Sequence, residues 1–179
     1  MSEILVTDWT DPGTVNTTYN GSSYHWTLLS NVLAEDGTGT GLLQVEVYDL
    51  TDTIEVTNFG FSFPGDPTWI WGVEARVKAY KTGNTVNDDD VKLIVGGSVT
   101  GDAKDVPTAV NDSTYDWITY GGQTDQWGLS LTSAQVEASD FGFKVQFVQA
   151  ATPGPWYVRV DSMQMRIYYR AAGNLILTL

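Results

Sequence analysis

The residues able to do covalent chemistry are few. The one histidine, His25, stands between Tyr24 and Trp26. Any Ser-His-Asp relay would run through it, and no strand-to-helix elbow exists to present a serine, so His25 reads as an ordinary strand residue. The chain has no cysteine, so thiolates and disulfides play no part, and a zinc site lacks its soft ligands. Glycoside hydrolysis needs two carboxylates at a set separation. Glu46, Glu55 and Glu74 fall on polar phases of strand-like segments, where solvated side chains belong. Asp88, Asp89 and Asp90 are hard oxygen ligands of the kind calcium takes. They lack the spaced calcium-loop pattern, and neighbours on an extended chain point in alternate directions. The run reads as a solvated acidic turn. Asn16-Thr17-Thr18 and Asn20-Gly21-Ser22 match the glycosylation acceptor pattern; without a signal segment ahead of them they read as chance matches. The expectation is a protein that is not an enzyme and holds no metal or cofactor.

Binding chemistry is better represented. The loop WITYGGQTDQWG (117–128) sets Trp127 close to Asp125 and Gln123. That is an aromatic face for a sugar ring, with a carboxylate and an amide for its hydroxyls. The stretch PTWIWG (67–72) places Trp69 and Trp71 beside a Pro-Gly turn at the head of a strand. The end of the chain, RAAGNLILTL, offers Leu175, Ile176, Leu177 and Leu179 as a β-prone apolar tail (about 171–179). Ile4 and Val6 do the same in an N-terminal arm (about 1–10). Exposed segments of this kind dock on something or aggregate.

The elements that must position these groups are strands. Phe59, Phe61 and Phe63 alternate with small residues. Val73, Ala75, Val77 and Ala79 alternate with Glu74, Arg76 and Lys78. Phe141, Phe143, Val145 and Phe147, then Met163, Met165, Ile167 and Tyr169, repeat the pattern. Period-two alternation marks half-buried strands of antiparallel sheets. Weaker strands are expected near Ile4–Thr7, Tyr24–Leu28, Leu42–Tyr48, Val91–Val95 and Trp117–Tyr120. The Val158/Val160 phase conflicts with the phase from Met163 onward, which predicts a bulge near Asp161-Ser162. One short helix is expected, capped by Thr132 or Ser133, with Val136 packed beneath it and its end by Asp140. The fold class is all-β: an antiparallel β-sandwich of jelly-roll type, as a single domain over 1–179.

Composition sets outer limits. A chain of 179 residues with 42% hydrophobic residues suits one well-filled core. The net charge of −13 argues against a nucleic-acid partner, because phosphate binding rests on Lys and Arg clusters. No run approaches a membrane-spanning length, and the first residues do not form a signal peptide.

In order, the segments are FGFSFP (59–64), TWIWGVEARVKAY (68–80), NDDDVKLIVGG (87–97), GDAK (101–104), WITYGGQTDQWG (117–128), TSAQVEASDFGFKVQF (132–147) and VRVDSMQMRIYY (158–169). Over about 54–170 this resembles a family of small β-sandwich proteins of tailed phages and prophages. The resemblance implies a virion structural role without catalytic residues, with a capsid decoration or cement protein as the most concrete form. It implies the major capsid protein or other virion subunits as partners, and a location in virions assembled in the host cytoplasm. A homo-oligomer is expected, and a trimer would suit shell junctions. The alternative is a carbohydrate-binding or receptor-binding tail or fibre domain using Trp127, Asp125 and Gln123; the family-like pattern carries this loop as a general feature, which favours a structural role for it in closing one end of the sandwich. For Trp69 and Trp71 two placements stand. Strict alternation back from Val73 puts both in the core. The family-like pattern, with its apolar residue at Ile70 and a bulge at Gly72, turns both outward.

Overall fold

Long alternating strands with apolar residues on one side build two sheets that close on each other. The computed structural model describes residues 3–19, 25–44, 50–64, 68–106, 110–149 and 156–171, with 42–44 as backbone. The strands are β1 (Leu5–Val6), β2 (Thr14–Thr18), β3 (Thr40–Gln44), β4 (Thr53–Thr57), β5 (Thr68–Gly83), β6 (Val86–Val95), β7 (Ser98–Thr100), β8 (Asp116–Gly121), β9 (Gly142–Gln149) and β10 (Trp156–Ala171). Sheet A runs β1-β10-β5-β8, with β3 sharing the β1 edge of β10; sheet B runs β2-β4-β9-β6-β7. Every pairing between these strands is antiparallel. The expected antiparallel β-sandwich is the architecture found.

The core lies between the sheets. Phe59, Phe61, Val73, Val77, Phe143, Val145, Met165 and Ile167, the residues the alternation assigns to it, are all buried. Packing across β5 and β10 is complementary in size. The small Ala75 lies beside Met165, and Val77 beside Met163, so bulky side chains from one strand fill the space left by the other. Phe59 stacks on Phe61 and on Phe143, which ties the 59–63 segment to sheet B.

Three bulges re-aim side chains. In β10 the register skips Asp161, as the phase conflict predicted. Opposite Tyr168 and Tyr169, β5 skips Trp71, so Ile70 turns inward and is buried. The bulged residue is Trp71 rather than its neighbour Gly72. In β6 the skip falls at Asp89. The acidic run is therefore not a solvated turn. Asp88 is buried and accepts a hydrogen bond from the Val106 N–H. Asp90 lies on the other face, paired with Lys144 and Lys92. The bulge sends the two carboxylates to opposite sides, and no three His, Cys, Asp or Glu side chains converge for a metal among the described residues.

The one-turn helix α1 (Ser133–Glu137) starts at Thr132 with a reciprocal capping box to Gln135 and buries Val136. Gly96 and Gly97, both at positive φ, close the β6–β7 hairpin. Of the expected strand at 24–28, Tyr24 lies outside the described residues, and 25–28 hold an isolated bridge at Thr27 that leads into a 3-10 turn, Leu29–Val32. Leu28 there adopts a left-handed backbone, which interrupts an extended run. The alternation of Phe59, Phe61 and Phe63 does not make a strand, since Asn58 and Gly60 take positive φ and break the extended run; the strands β2, β4 and β7 were not expected. Thr-rich and polar, β2 shows almost no apolar alternation.

Candidate functional site

The outer face of sheet A carries the chemistry. Pointing away from the core, β5 presents Trp69, Trp71, Glu74, Arg76, Lys78 and Tyr80. Beside it, β10 presents Tyr157, Arg159, Gln164, Arg166, Tyr168 and Arg170, in register with them. Trp117 joins from β8 opposite Lys78. All four arginines of the chain are on this face.

The cations and rings interleave. The Arg76 guanidinium lies between two tryptophans, 4.1 Å from the Trp9 ring centre and 3.8 Å from that of Trp117. Arg166 lies 4.5 Å from the Trp9 ring. Arg170 covers Trp71 at 4.0 Å, and Arg159 lies 4.9 Å from Tyr157. Each such contact holds a planar cation in place without neutralising it. Trp9 reaches the face because the N-terminal segment continues along β10 past β1, with Thr10 bridged to Met165.

In the middle of the face Arg166 and Lys78 are ion-paired and Arg76 is hydrogen-bonded to a neutral amide. Arg166 Nε donates to Glu74 Oε2 at 2.7 Å, and the Tyr168 hydroxyl donates to the same oxygen at 2.7 Å. Burial and that bond raise the Tyr168 phenol above its ordinary range. Arg76 donates to Gln164 Oε1, and Gln164 Nε2 donates to Asp11. Burial, against the pull of Glu35, lowers the Arg76 guanidinium. Lys78 pairs with Glu35 and Asp161, and the Glu35 bond keeps its ammonium raised.

The two ends of the face differ from the middle. Arg159 and Arg170 have no carboxylate within ion-pair distance among the described residues. The Nε of each is buried without a hydrogen-bond partner. At the Arg170 end, Trp69 lies opposite Arg170 in the register and is 53% exposed.

The expected site residues separate as follows. Trp69 is on the surface, and Trp71 is half-buried beneath Arg170, so the outward placement holds for both. Val6 is 49% exposed and registers with Tyr168, which in turn faces Gly72. Gln123 is exposed, and its backbone crosses over Gly72, where any side chain would collide with the carbonyls of Gly122 and Gln123. Trp69, Trp71, Val6 and Gln123 thus gather at one end of the face, although they come from three separate segments of the sequence. Ile4 is half-buried just before β1. Leu175, Ile176, Leu177 and Leu179 lie outside the described residues.

Trp127 and Asp125 do not join the site. Trp127 is 0% exposed; its indole N–H donates to the Val73 carbonyl at 3.0 Å, and its backbone sits at φ 58°. A ring with no accessible face cannot stack on a sugar. Both Asp125 oxygens are engaged, one accepting from the Trp127 N–H and the other paired with Lys104. Together they pin the 121–128 loop against β5. Sequence reasoning missed Trp9, Arg76, Arg159, Arg166 and Arg170. The available signal was that every arginine falls on the polar phase of the two longest strands.

On the far side of the sandwich, Thr14, Asn16, Glu55, Thr57, Asn58, Ile94, Gly97, Ser139 and Asp140 line a groove of about 410 Å³. It contains no aromatic ring.

No family model and no curated protein matches this sequence. Solved structures with a similar arrangement include a protein described as "CBM4", 12% identical with a TM-score of 0.42, covering 89% of this chain and 94% of that one. A xylan-binding module, CBM15, is 10% identical with a TM-score of 0.44, covering 96% of this chain and all of that one. The enzymatically active domain of tailspike protein 4 of bacteriophage CBA120 is 13% identical with a TM-score of 0.37, and this chain spans 19% of its length. Likenesses at this level carry no argument about function.

Proposed function

We propose that the protein is a non-catalytic binding domain that holds carbohydrate on the outer face of sheet A, as a glycan-binding or receptor-binding module. The observation that carries this reading is the Trp69 end of the face. An exposed indole stands beside a second indole held under a guanidinium, with the exposed Gln123 bordering them. A flat apolar ring takes the apolar face of a sugar, while planar donors and amides take its hydroxyls. The scaffold is stiff, since β5 and β10 pair along their length beneath the face, so little ordering is needed on binding. Retention on immobilised polysaccharides tests it. Trp69→Ala should weaken retention by at least about tenfold, the scale for an aromatic anchor, with the melting temperature unchanged. Equal retention by both proteins would remove Trp69 from the site.

A second reading keeps the virion structural role, in which the same end docks on another virion subunit. The exposed edge of Leu5 and Val6 favours it, because it adds a second apolar element across β10 from Trp69. Sedimentation of the full chain against one lacking residues 174–179 tests that reading. Loss of self-association or particle binding from a still-folded chain supports it, and unchanged assembly counts against a role for the tail.

A further inference from the structure

We infer that the glycan this face takes is an elongated acidic one, a chain bearing carboxylate or sulfate groups, engaged by Arg170 and Arg159 together. The inference rests on the carbohydrate reading and adds the ligand's charge and length to it.

The observation behind it is the unequal treatment of the cations. Arg166 and Lys78 are matched to carboxylates on the face itself, and Arg76 is tied to Gln164 and through it to Asp11. Among the described residues Arg170 and Arg159 are matched to no carboxylate; each lies against a ring, Trp71 at 4.0 Å and Tyr157 at 4.9 Å, with its Nε buried and unbonded, and Arg159 has only the neutral Tyr157 hydroxyl as a side-chain partner. A guanidinium held against a ring, with no counter-charge among the described residues, is prepared for a planar anion. The distribution of charge agrees. In a chain of net charge −13, five of the nine basic residues lie on this one face, and the carboxylates there, Glu74, Glu35, Asp161 and Asp11, are set against Arg166, Lys78 and Gln164 rather than against Arg159 or Arg170. The acidic remainder is screened beyond about 8 Å at physiological ionic strength.

The spacing sets the ligand's length. Arg159 and Arg170 stand near opposite ends of β10, about 35 Å apart at roughly 3.3 Å per residue. Only an extended polymer reaches both. Between them lie the Trp9 and Trp117 rings around Arg76 and the ion pairs of Arg166 and Lys78. Tyr80, Tyr115 and Tyr157 surround the Arg159 end, with Tyr80 and Tyr115 meeting edge to face at 4.6 Å. The second end therefore has aromatic surface of its own.

The test is affinity electrophoresis and titration of the full chain with four probes: polygalacturonate, a sulfated galactan, neutral xylan and duplex DNA. An acidic glycan should bind more tightly than xylan, and its affinity should fall between about 0.1 and about 1 M salt, as the Debye length shrinks from about 10 to about 3 Å. Arg170→Gln and Arg159→Gln should each weaken the polymer by about tenfold, the scale of one charge-assisted hydrogen bond. Arg170→Lys should restore part of the loss at that end. A short acidic oligomer should respond to the Arg170 change and not to the Arg159 change. Unchanged circular dichroism in each variant separates lost contact from lost fold. The polyuronate and sulfate arms tell which anion is preferred. Xylan bound as tightly as the acidic chains, through Trp69 and without salt dependence, would overturn the acidic ligand and leave the carbohydrate reading standing. No binding to any glycan overturns both, and equal binding of DNA overturns selectivity for an acidic glycan.

Discussion

Trp127 decides whether the 121–128 loop is a binding loop or a structural pin, and its substitution separates the two. The side chain is fully buried, its indole N–H is bonded to the Val73 carbonyl, and its backbone N–H is bonded to Asp125. Trp127→Ala removes a complete indole from a closed site, and such truncations cost about 3–5 kcal/mol. Against a total of roughly 5–15 kcal/mol for a native domain, that is a large fraction. For a chain of this length each kcal/mol moves the melting temperature by about 2–4 °C, so a fall of about 6–20 °C is expected. Trp127→Phe keeps most of the ring and loses the indole donor. The Val73 carbonyl still accepts from the Gly122 N–H, so the cost should be nearer 1–2 kcal/mol, the scale of one hydrogen bond plus a small cavity. Urea denaturation followed by tryptophan fluorescence and circular dichroism gives both values. The order Ala far below Phe, with Phe just below the parent, is the expected outcome. If Trp127→Ala kept the parent midpoint and lost only glycan retention, the burial reasoning would be refuted and the loop would be a ligand contact.

Further outcomes follow from the same geometry. Gly72→Ala forces a Cβ against the carbonyls of Gly122 and Gln123; overpacking of this kind costs about 1–3 kcal/mol, and glycan retention should fall with the melting temperature because the loop beside Trp71 is displaced. Asp90 is pushed up by its burial but pulled further down by Lys144 and Lys92, leaving its carboxyl below the ordinary range. A depressed carboxyl contributes stability that is present above its unfolded value, about 3.9, and is lost as pH falls through the lower folded value. Asp90→Asn should therefore flatten the loss of melting temperature between about pH 4 and pH 2, and an unchanged acid slope would count against the pairing. Adding calcium or a chelator should leave the melting temperature where it is, because Asp88 and Asp90 face opposite sides of sheet B; a rise of several degrees with calcium would show selective binding to the native state.

Much of the fold was legible from local pattern. Alternation over 73–79, 141–147 and 163–169 assigned the buried face, because a strand presents successive side chains to opposite sides and only one side meets a core. The break in phase between Val160 and Met163 located a bulge for the same reason, and Thr132 or Ser133 marked the helix start. These are signals within one segment. What they could not carry is how segments far apart in the chain meet. Trp127 had the composition of a sugar contact and the place of a loop that closes one end of the sandwich, and only the β5 backbone that it bonds decides for the buried pin. Asp88, Asp89 and Asp90 looked like one solvated group and were divided by a bulge that only the pairing with β9 imposes. Arg76 reads as a polar residue of a strand; its place between Trp9 and Trp117 exists only once the N-terminal segment and β8 are set on either side of β10 and β5. Periodicity determines which side of a strand is wet, and the tertiary pairing determines which wet sides share a face. The cation and ring array of sheet A is a property of the second kind.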